Sequence, residues 1–252
     1  QQALASASRV FSVSDSLRRI GLECGATPHR ALVVGNGVDA QVFAPVDRAE
    51  ARRRLSLPAD APVLVSVGGL VERKGFHRVI ACLPELRRAR PDLCFLVVGG
   101  PGPEGDWSAR LAAQVRELGL DDAVRFLGPL PPSELRWALG AADVFVLATR
   151  NEGWANVLLE AMACGLPVVT TRVGGNAEVV CRDELGIVVP FDDHAALRDA
   201  LDHALARSWD HAAIRRYAEA NSWDSRVEVL VAEFRRVAAE AGTPQLAAGQ
   251  ER

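Results

Sequence analysis

Short apolar runs alternate with segments of helical pattern across the middle of the chain. Six runs are rich in Val and Leu and lack a polar face, which is typical of strands buried on both faces of a parallel sheet. They are Val63–Val67, Cys94–Val98, Val124–Leu127, Val144–Ala148, Val168–Thr171 and Ile187–Val189. The helical patterns between and after them are Phe76–Ala89, Trp107–Leu118, Ser133–Leu139, Ala155–Cys164 and Gly175–Val180. This alternation predicts an α/β fold with a doubly wound, Rossmann-like parallel sheet, which binds ligands at the carboxyl ends of its strands.

The two ends of the chain differ from this alternating middle. The chain begins with a predicted strand at Arg9–Ser14, a helix at Asp15–Leu22 and a further short segment at Ala31–Val34. The dipeptide Asn36-Gly37 then predicts a turn, which we interpret as part of a linker or hinge. After the last strand the pattern is helical. The extra carboxy-terminal helices are Ala195–Arg207, His211–Ala218 and Ser225–Ala239, followed by a frayed tail at Gly242–Arg252.

The composition argues against several classes of protein. The 252 residues are 49% hydrophobic, and a formal net charge of −3 does not suit a general binder of nucleic acid or of a membrane surface. The five cysteines are an odd number without a CxxC pair, which favours reduced thiols in a cytoplasmic protein over disulfides or a zinc site. No apolar run approaches the roughly 20 residues that span a bilayer. Because the sequence starts at Gln1 without a methionine, we expect a fragment of a longer protein.

A single lysine, Lys74, stands among 29 basic residues that are otherwise all arginine. It lies in the stretch Val67–Phe76, between a predicted strand and a predicted helix. Free N–H groups and the helix dipole at such a turn bind phosphate, and a compact ammonium group often adds charge there. The alternative is chance, in an arginine-rich chain that kept one lysine on a solvated turn. This observation alone leaves both interpretations open.

A glycine-rich loop invites a different interpretation. Residues Gly100–Gly105 match the pattern G-x-G-x-x-G of dinucleotide-binding proteins, with Asp121 or Asp122 as the acid for a ribose. That fingerprint belongs to the first strand of its unit, whereas this loop follows the second strand of the sheet. Pro101 and Pro103 also remove N–H donors that a pyrophosphate would need. We therefore interpret the segment as a loop that joins a strand to a helix.

The segment Asn151–Pro167 carries the strongest functional signal. Glu152 lies in the loop after a predicted strand, and the helix should begin near Trp154 or Ala155, where its first N–H groups are free for an anion. Glu160 follows eight residues later, roughly 12 Å along the helix. The two carboxylates could therefore reach opposite ends of an extended ligand with phosphates between them. Glycosidases hold their carboxylates closer, about 5–9.5 Å apart.

A purely structural role suits these two glutamates unequally. Glu152 could serve as a helix-end charge that interacts with the dipole. Glu160 is crowded by apolar neighbours in the stretch Leu158–Ala163, which does not suit a solvated helix face. We therefore favour a functional role for the pair.

This segment resembles the E-x7-E motif of the retaining GT-B glycosyltransferases of group 1, also called family four. Further pieces of the chain agree with that family in the same order. They are Asn36-Gly37-Val38-Asp39 with Phe43 and Pro45, Gly69–Gly75, Phe126-Leu127-Gly128, Ala142-Asp143, Gly165–Val169 and Val173-Gly174-Gly175. Each piece alone is weak, but the ordered set, covering roughly residues 9–240, is specific.

The resemblance implies the carboxy-terminal, donor-binding half of such an enzyme. Residues 1–30 would be a remnant of the amino-terminal acceptor domain, 31–45 a linker or hinge, 46–224 the nucleotide-sugar domain, and 225–252 a last helix and tail. Family members transfer a hexose from a nucleotide sugar with retention of configuration and without an obligatory metal. We therefore expect a donor of UDP, GDP or ADP type and no cofactor. The alternative is a non-catalytic module that binds nucleotide sugars.

The resemblance also implies roles for individual residues. Lys74 would contact the diphosphate of the donor, Glu152 the sugar hydroxyls and Glu160 the ribose hydroxyls. Backbone N–H groups of residues 153–157 would face sugar and phosphate, and the strand end at Leu127–Leu130 would lie near the base. The candidate catalytic residues are Lys74 and Glu152. The candidate donor-binding residues are Gly68, Gly69, Arg73, Lys74, Leu127, Leu130, Glu152, Gly153, Trp154, Ala155, Asn156, Val157 and Glu160.

One position departs from the family pattern. The family usually has an arginine in the first turn, as Gly-Arg-Leu, which also contacts the diphosphate, and this chain has Gly69 there. Either Arg73 or Arg172 supplies the charge instead, or donor binding is weaker, or the activity is altered. Because most of the acceptor domain is absent, we expect the fragment to bind donor but to transfer sugar weakly or not at all. Any peripheral contact with a membrane would run through the missing half.

Overall fold

The structure, a computed structural model, describes residues 2–241. These residues contain eight strands and eleven α-helices. The strands are β1 Val10–Ser12, β2 Ala31–Val33, β3 Val63–Val67, β4 Cys94–Val98, β5 Val124–Gly128, β6 Val144–Leu147, β7 Val168–Thr171 and β8 Gly186–Val189. The helices are α1 Gln2–Ser6, α2 Asp15–Glu23, α3 Arg48–Arg54, α4 Phe76–Ala89, α5 Ser108–Glu117, α6 Pro132–Ala141, α7 Asn156–Ala163, α8 Asn176–Val179, α9 His194–Ala206, α10 His211–Ala220 and α11 Trp223–Ala241.

Strands β3 to β8 form one sheet in the order β5-β4-β3-β6-β7-β8, and every neighbouring pair is parallel. The predicted α/β fold with a doubly wound parallel sheet is confirmed, and the six predicted strands lie within one residue of the observed ones. From β3 the chain first adds β4 and β5 on one side and then crosses to add β6 on the other. The strand order therefore switches between β3 and β6, where such sheets bind their ligands.

The apolar core lies in two layers, one on each face of this sheet. Successive side chains of a strand point to opposite faces, so Val63 and Val65 join one cluster while Leu64 joins the other. Helices α6, α7 and α10 complete the first cluster, and α4, α5 and α9 complete the second. Because both faces are covered, the strands need no polar side.

Helix α3 was not predicted from the sequence. It is rich in arginine and presents no broad apolar stripe, so its periodic signal is weak. Asp47 caps its first turn by accepting the Glu50 N–H at 2.6 Å. The buried Arg52 donates to the Ala141 carbonyl at 3.1 Å and to the Asp143 carboxylate at 3.0 Å. A buried, hydrogen-bonded arginine thus anchors this helix in place of an apolar side chain.

The turn predicted at Asn36-Gly37 was wrong. The chain instead continues past Gly37 into a parallel bridge between Val38 and Ser222, and the Trp223 N–H donates to the Val38 carbonyl at 3.2 Å. A Cβ on Gly37 would collide with the backbone of Trp223. Glycine at this position therefore permits the close approach of two chain segments.

The first strands stand apart from the main sheet. β1 and β2 form their own two-stranded parallel sheet, and α11 packs against it. The rings of Phe11 and Phe234 meet edge to face, with centroids 5.7 Å apart, and Arg9 pairs with Glu233 at 3.2 Å. The tail predicted at Gly242–Arg252 lies outside the described residues. Within residues 2–241, no helix has the length and apolar character needed to cross a membrane.

Candidate functional site

The loops that follow β3 and β6 are fastened to each other at the switch point. The two strands are neighbours in the sheet, so their carboxyl ends lie side by side. The backbone N–H of Arg150 donates to the Arg73 carbonyl at 2.8 Å, and the Thr149 hydroxyl donates to the same carbonyl at 3.0 Å. The turn that carries Lys74 and the loop that carries Glu152 therefore form one unit.

Gly75 closes this junction. It ends the 3₁₀ turn Glu72–Lys74 in a left-handed conformation, with φ of 77°. A Cβ there would collide with the carbonyl oxygen of Ala148 at the end of β6. Only glycine combines this backbone conformation with so close an approach, so the sequence Lys74-Gly75 fixes where the lysine lies.

Glu152 is the centre of a charged cluster. Its Oε1 accepts hydrogen bonds from Lys74 Nζ at 2.7 Å and Arg73 Nη1 at 3.1 Å, and it lies 3.1 Å from Thr149 Oγ1, whose single proton can go either to it or to the Arg73 carbonyl. The Glu152 side chain is only 9% exposed. The stem of Lys74 lies over Gly68, where a Cβ would come 3.4 Å from its Cδ. The structure thus brings Lys74, Arg73 and Glu152 into direct contact, with Gly68 beneath the stem of the lysine.

Arg73 links this cluster to a residue that the sequence analysis did not select. Its Nε and Nη2 donate to the carboxylate of Glu104 at 2.6–3.0 Å, while its Nη1 also donates to the Asn151 carbonyl at 2.9 Å. The hydrogen bonds from Arg73 lower the pKa of the Glu104 carboxyl. Glu104 lies in the glycine-rich loop that we had interpreted as a connection only. The position of that loop after β4, beside β3, was the signal that could have identified it.

Glu160 lies on α7, among side chains that are almost fully buried. Burial raises the pKa of its carboxyl from an ordinary 4.5 to about 7. The pKa of the Cys164 thiol is raised to about 12, mainly by burial and secondly by the nearby negative charge of Glu160. The predicted crowding of Glu160 is therefore observed, and its carboxyl titrates near neutral pH.

The loop before α7 is covered by amino-terminal segments of the chain. The helix begins at Asn156, one or two residues later than predicted, and Ala155 is its N-cap. The Asn36 amide donates to Asn156 Oδ1 at 2.9 Å, and Gly35 lies against the ring of Trp154. A Cβ on Gly153 would meet Leu17 of α2 at 3.0 Å.

The remaining predicted residues lie beside this helix. Leu127, in β5, and Leu130, just beyond it, are half-buried and pack with Val157 of α7 on the same apolar cluster. They lie at the carboxyl ends of the strands, as the site does. The geometry therefore offers an apolar wall on the side of β5 and a charged cluster at β3 and β6.

Gly69 is covered by the glycine-rich loop. A Cβ at this position would lie 3.6 Å from Gly102 Cα and 3.9 Å from the Gly100 carbonyl oxygen. Of the two arginines considered as replacements, Arg73 contacts Glu152 directly. Arg172 instead lines a groove of about 640 Å³ along the edge strand β8, together with Arg182 and Arg207. That groove contains none of the predicted site residues, so volume alone does not locate the site.

The fold and this cluster define the class of protein. A doubly wound sheet with cations and carboxylates at its switch point is typical of α/β proteins that bind phosphorylated ligands. Among residues 2–241, no group of three or more His, Cys, Asp or Glu side chains could hold a metal ion. Residues 47–221 match the model of the family described as glycosyl transferases group 1, and the chain belongs to this family.

Curated relatives carry one recurring name. The chain is 38% identical over 250 residues to the D-inositol 3-phosphate glycosyltransferase of Geodermatophilus obscurus, covering 95% of this chain and 55% of that protein. It is 36% identical over 257 residues to the enzyme of the same name from Kineococcus radiotolerans, covering 94% of this chain and 59% of that protein. The chain therefore spans little more than half the length of these relatives.

Solved structures agree on the fold. Sucrose-phosphate synthase from Thermosynechococcus elongatus superposes with a TM-score of 0.82 at 30% identity, covering 95% of this chain and 60% of that one. The Anabaena protein HepE in complex with UDP gives a TM-score of 0.83 at 23% identity, over 93% of this chain and 65% of that one. These neighbours are GT-B glycosyltransferases, which confirms the predicted GT-B fold.

Proposed function

We propose that the chain is the carboxy-terminal, donor-binding half of a retaining group 1 glycosyltransferase. The enzyme would move a hexosyl group from a nucleotide-diphosphate sugar to an acceptor hydroxyl. The observation that carries this proposal is the contact of Lys74 and Arg73 with Glu152 at the switch point, with Glu160 on α7, the helix that follows Glu152. The family, the names of the relatives and the UDP complex of HepE support it.

The two cations would act on the leaving group. The bond from the anomeric carbon to the diphosphate oxygen breaks, and its electron pair leaves with the diphosphate. The acceptor oxygen bonds to the anomeric carbon on the same face, and its proton passes to the departing phosphate. Lys74 and Arg73 would stabilise the growing negative charge, a role that elsewhere falls to a metal ion. Glu152, freed from its cations by the phosphates, would accept hydrogen bonds from the sugar hydroxyls.

The rest of the donor would lie along α7. The free N–H groups at residues 153–157 would face sugar and phosphate. Glu160 would accept hydrogen bonds from the ribose hydroxyls, and Leu127 and Leu130 would contact the base. Gly68 would leave room for the phosphates beside the stem of Lys74, while Gly69 would support the glycine-rich loop that borders them. This arrangement assigns no step to a metal or another cofactor.

The rest of the protein follows from the same proposal. Residues 1–30 would belong to the acceptor half, which fits the position of β1 outside the main sheet, where it pairs with β2 at the start of the linker. Residues 31–45 would form the linker, 46–224 the donor domain and 225–252 a last segment that returns to the acceptor half. The five free cysteines favour a cytoplasmic location. The relatives' name makes D-inositol 3-phosphate the first acceptor to test.

A nucleotide panel tests the proposal. Calorimetric titration of the 252-residue chain with UDP, GDP, ADP and NAD should show saturable binding of at least one diphosphate. Saturation by NAD without a response to the three diphosphates would contradict the proposal and favour the dinucleotide-binding interpretation of the loop Gly100–Gly105. No response to any of the four would remove the donor site altogether.

A second experiment separates the enzyme from a non-catalytic binding module. The reading frame upstream of Gln1 should encode about 150 or more further residues of α/β pattern, the size of another domain. The joined protein should transfer sugar, whereas a start codon immediately before Gln1 would favour the binding module.

A further inference from the structure

All three nitrogens of the Arg73 guanidinium are engaged by other protein atoms. One edge, Nε and Nη2, faces Glu104 with distances of 2.6–3.0 Å. The third nitrogen, Nη1, faces Glu152 and the Asn151 carbonyl. The two carboxylates differ in environment, because the Glu104 side chain is 48% exposed and that of Glu152 is 9% exposed. Glu104 is therefore the partner that solvent and a ligand can reach.

The pairing with Glu104 has the geometry of an arginine with a phosphate. Two parallel N–H groups of a guanidinium bind two oxygens of a carboxylate or of a phosphate in the same fork-like way. A diphosphate that binds beside Lys74 meets Arg73 with this edge already occupied. Binding then exchanges one anion for another on the same donors.

The loop that carries Glu104 is built onto the position where the family's arginine is missing. Residues Gly102 and Gly105 exchange two backbone hydrogen bonds, at 2.9 and 3.0 Å, which closes the loop on itself. The Leu70 N–H holds the loop by donating to the Gly100 carbonyl at 2.7 Å. Gly102 then packs against Gly69. The absent side chain at Gly69, the loop seated there and the Arg73–Glu104 pair therefore occur together.

We propose that Glu104 is a positioning residue that occupies the phosphate-binding edge of Arg73 until the diphosphate of the donor displaces it. This inference rests on the proposed donor-binding function. Glu104 keeps Arg73 oriented beside Lys74 and, at the same time, competes with every anion that enters. The competition weakens binding of the nucleotide and favours ligands with enough phosphate charge to displace a carboxylate.

A double-mutant cycle tests the inference on the whole chain. Glu104→Gln should bind the preferred nucleoside diphosphate about fivefold more tightly than wild type, as expected for the loss of one exposed competing ion pair. Arg73→Met should weaken binding, and adding Glu104→Gln to Arg73→Met should then have no effect. Asp106→Asn is the matched control, because it removes one charge from the neighbouring segment, where Asp106 accepts the Ser108 N–H at 2.8 Å.

The outcomes separate this inference from the function on which it rests. Wild-type binding together with unchanged or weaker binding by Glu104→Gln would overturn the inference alone. A gain in affinity from Glu104→Gln that persists in the Arg73→Met background would also overturn the inference. An equal gain in affinity from Asp106→Asn would do the same. The absence of any nucleoside diphosphate binding by wild type would overturn both. Thermal melts of wild type and the four variants show whether each variant is folded.

Discussion

Individual charges in the site are shared, so each substitution affects more than one partner. Lys74 and Arg73 both bond to Oε1 of Glu152. A buried carboxylate that loses its only cation is strongly destabilised, but Glu152 keeps one cation when the other is removed. Substituting Lys74 or Arg73 should therefore affect ligand binding more than folding.

Glu160 should make the stability of the protein depend on pH. Burial raises its carboxyl pKa from 4.5 to about 7, so the folded state holds this proton more tightly than the unfolded state. The protonated carboxyl therefore contributes to the free energy of unfolding in full below pH 4.5. This contribution, on the order of 3 kcal/mol, is lost as pH rises through 7. Denaturant unfolding should find Glu160→Gln more stable than wild type at about pH 8 but not at about pH 4.

The same substitution should remove the pH dependence of donor binding. In the proposed donor complex, only the ionised Glu160 would accept hydrogen bonds from both ribose hydroxyls, so wild-type affinity for a nucleotide sugar should fall by up to about tenfold from pH 8 to pH 6. Glu160→Gln should give a flat profile with weaker binding at about pH 8. The exposed Glu117→Gln serves as the control for both measurements. A wild-type profile that Glu160→Gln leaves unchanged would contradict the assignment.

At the scale of elements, the site depends on how the turn after β3 meets the end of β6. Gly75 makes this contact possible, because it has a left-handed φ of 77° and no room for a Cβ beside Ala148. Gly119, after α5, has a similar φ of 63° but no atom within 4 Å of its Cβ position. A comparison of substitutions at the two glycines therefore separates the cost of a left-handed backbone from the cost of a collision at the Cβ position.

Alanine substitutions at the two glycines should differ clearly. Gly119→Ala should cost about 1 kcal/mol, the strain of a left-handed alanine. Gly75→Ala should cost about 3 kcal/mol or more, because it also forces the two loops apart, and it should weaken nucleotide binding. Chemical denaturation and calorimetry of both variants measure these effects. Equal losses of stability, with binding intact in Gly75→Ala, would show that the contact with Ala148 does not hold the site.

The elements also show what a sequence can and cannot predict. The six strands of the main sheet were predictable because burial on both faces makes most of their positions apolar. Helix α3 was not, because buried Arg52 takes the place of an apolar stripe. The contact of Arg73 with Glu104 joins residues 31 positions apart, and no local pattern encodes it. The role of Gly37 was missed for the same reason, since its partner, Trp223, lies on α11.

The whole molecule presents an exposed apolar stripe. Trp223, Val227, Val231 and Phe234 recur at helical spacing on α11 and are 37–56% exposed. Ile20 on α2 is also exposed, at 53%. In the proposed full-length enzyme, the amino-terminal half would cover this surface, and closure of the two halves would assemble the site.

The isolated chain should therefore associate with itself as its concentration rises. Sedimentation velocity over a range of concentrations measures this, and Val227→Asp on α11 should abolish it. Leu118→Asp is the matched control, since Leu118 is 39% exposed at the end of α5. A strictly monomeric wild-type chain at every concentration would contradict the assignment of this surface to the missing half.

The central claim is that the chain binds a nucleotide diphosphate through the cluster around Lys74. Calorimetric titration of wild type, Lys74→Met and Lys74→Arg with the preferred diphosphate tests it most directly. Lys74→Met should lose at least about tenfold in affinity, or about 1.4 kcal/mol, and Lys74→Arg should not restore it fully because a planar fork replaces a point charge. Unchanged affinity in Lys74→Met would contradict the account and leave this lysine only a structural ion-pair partner of Glu152.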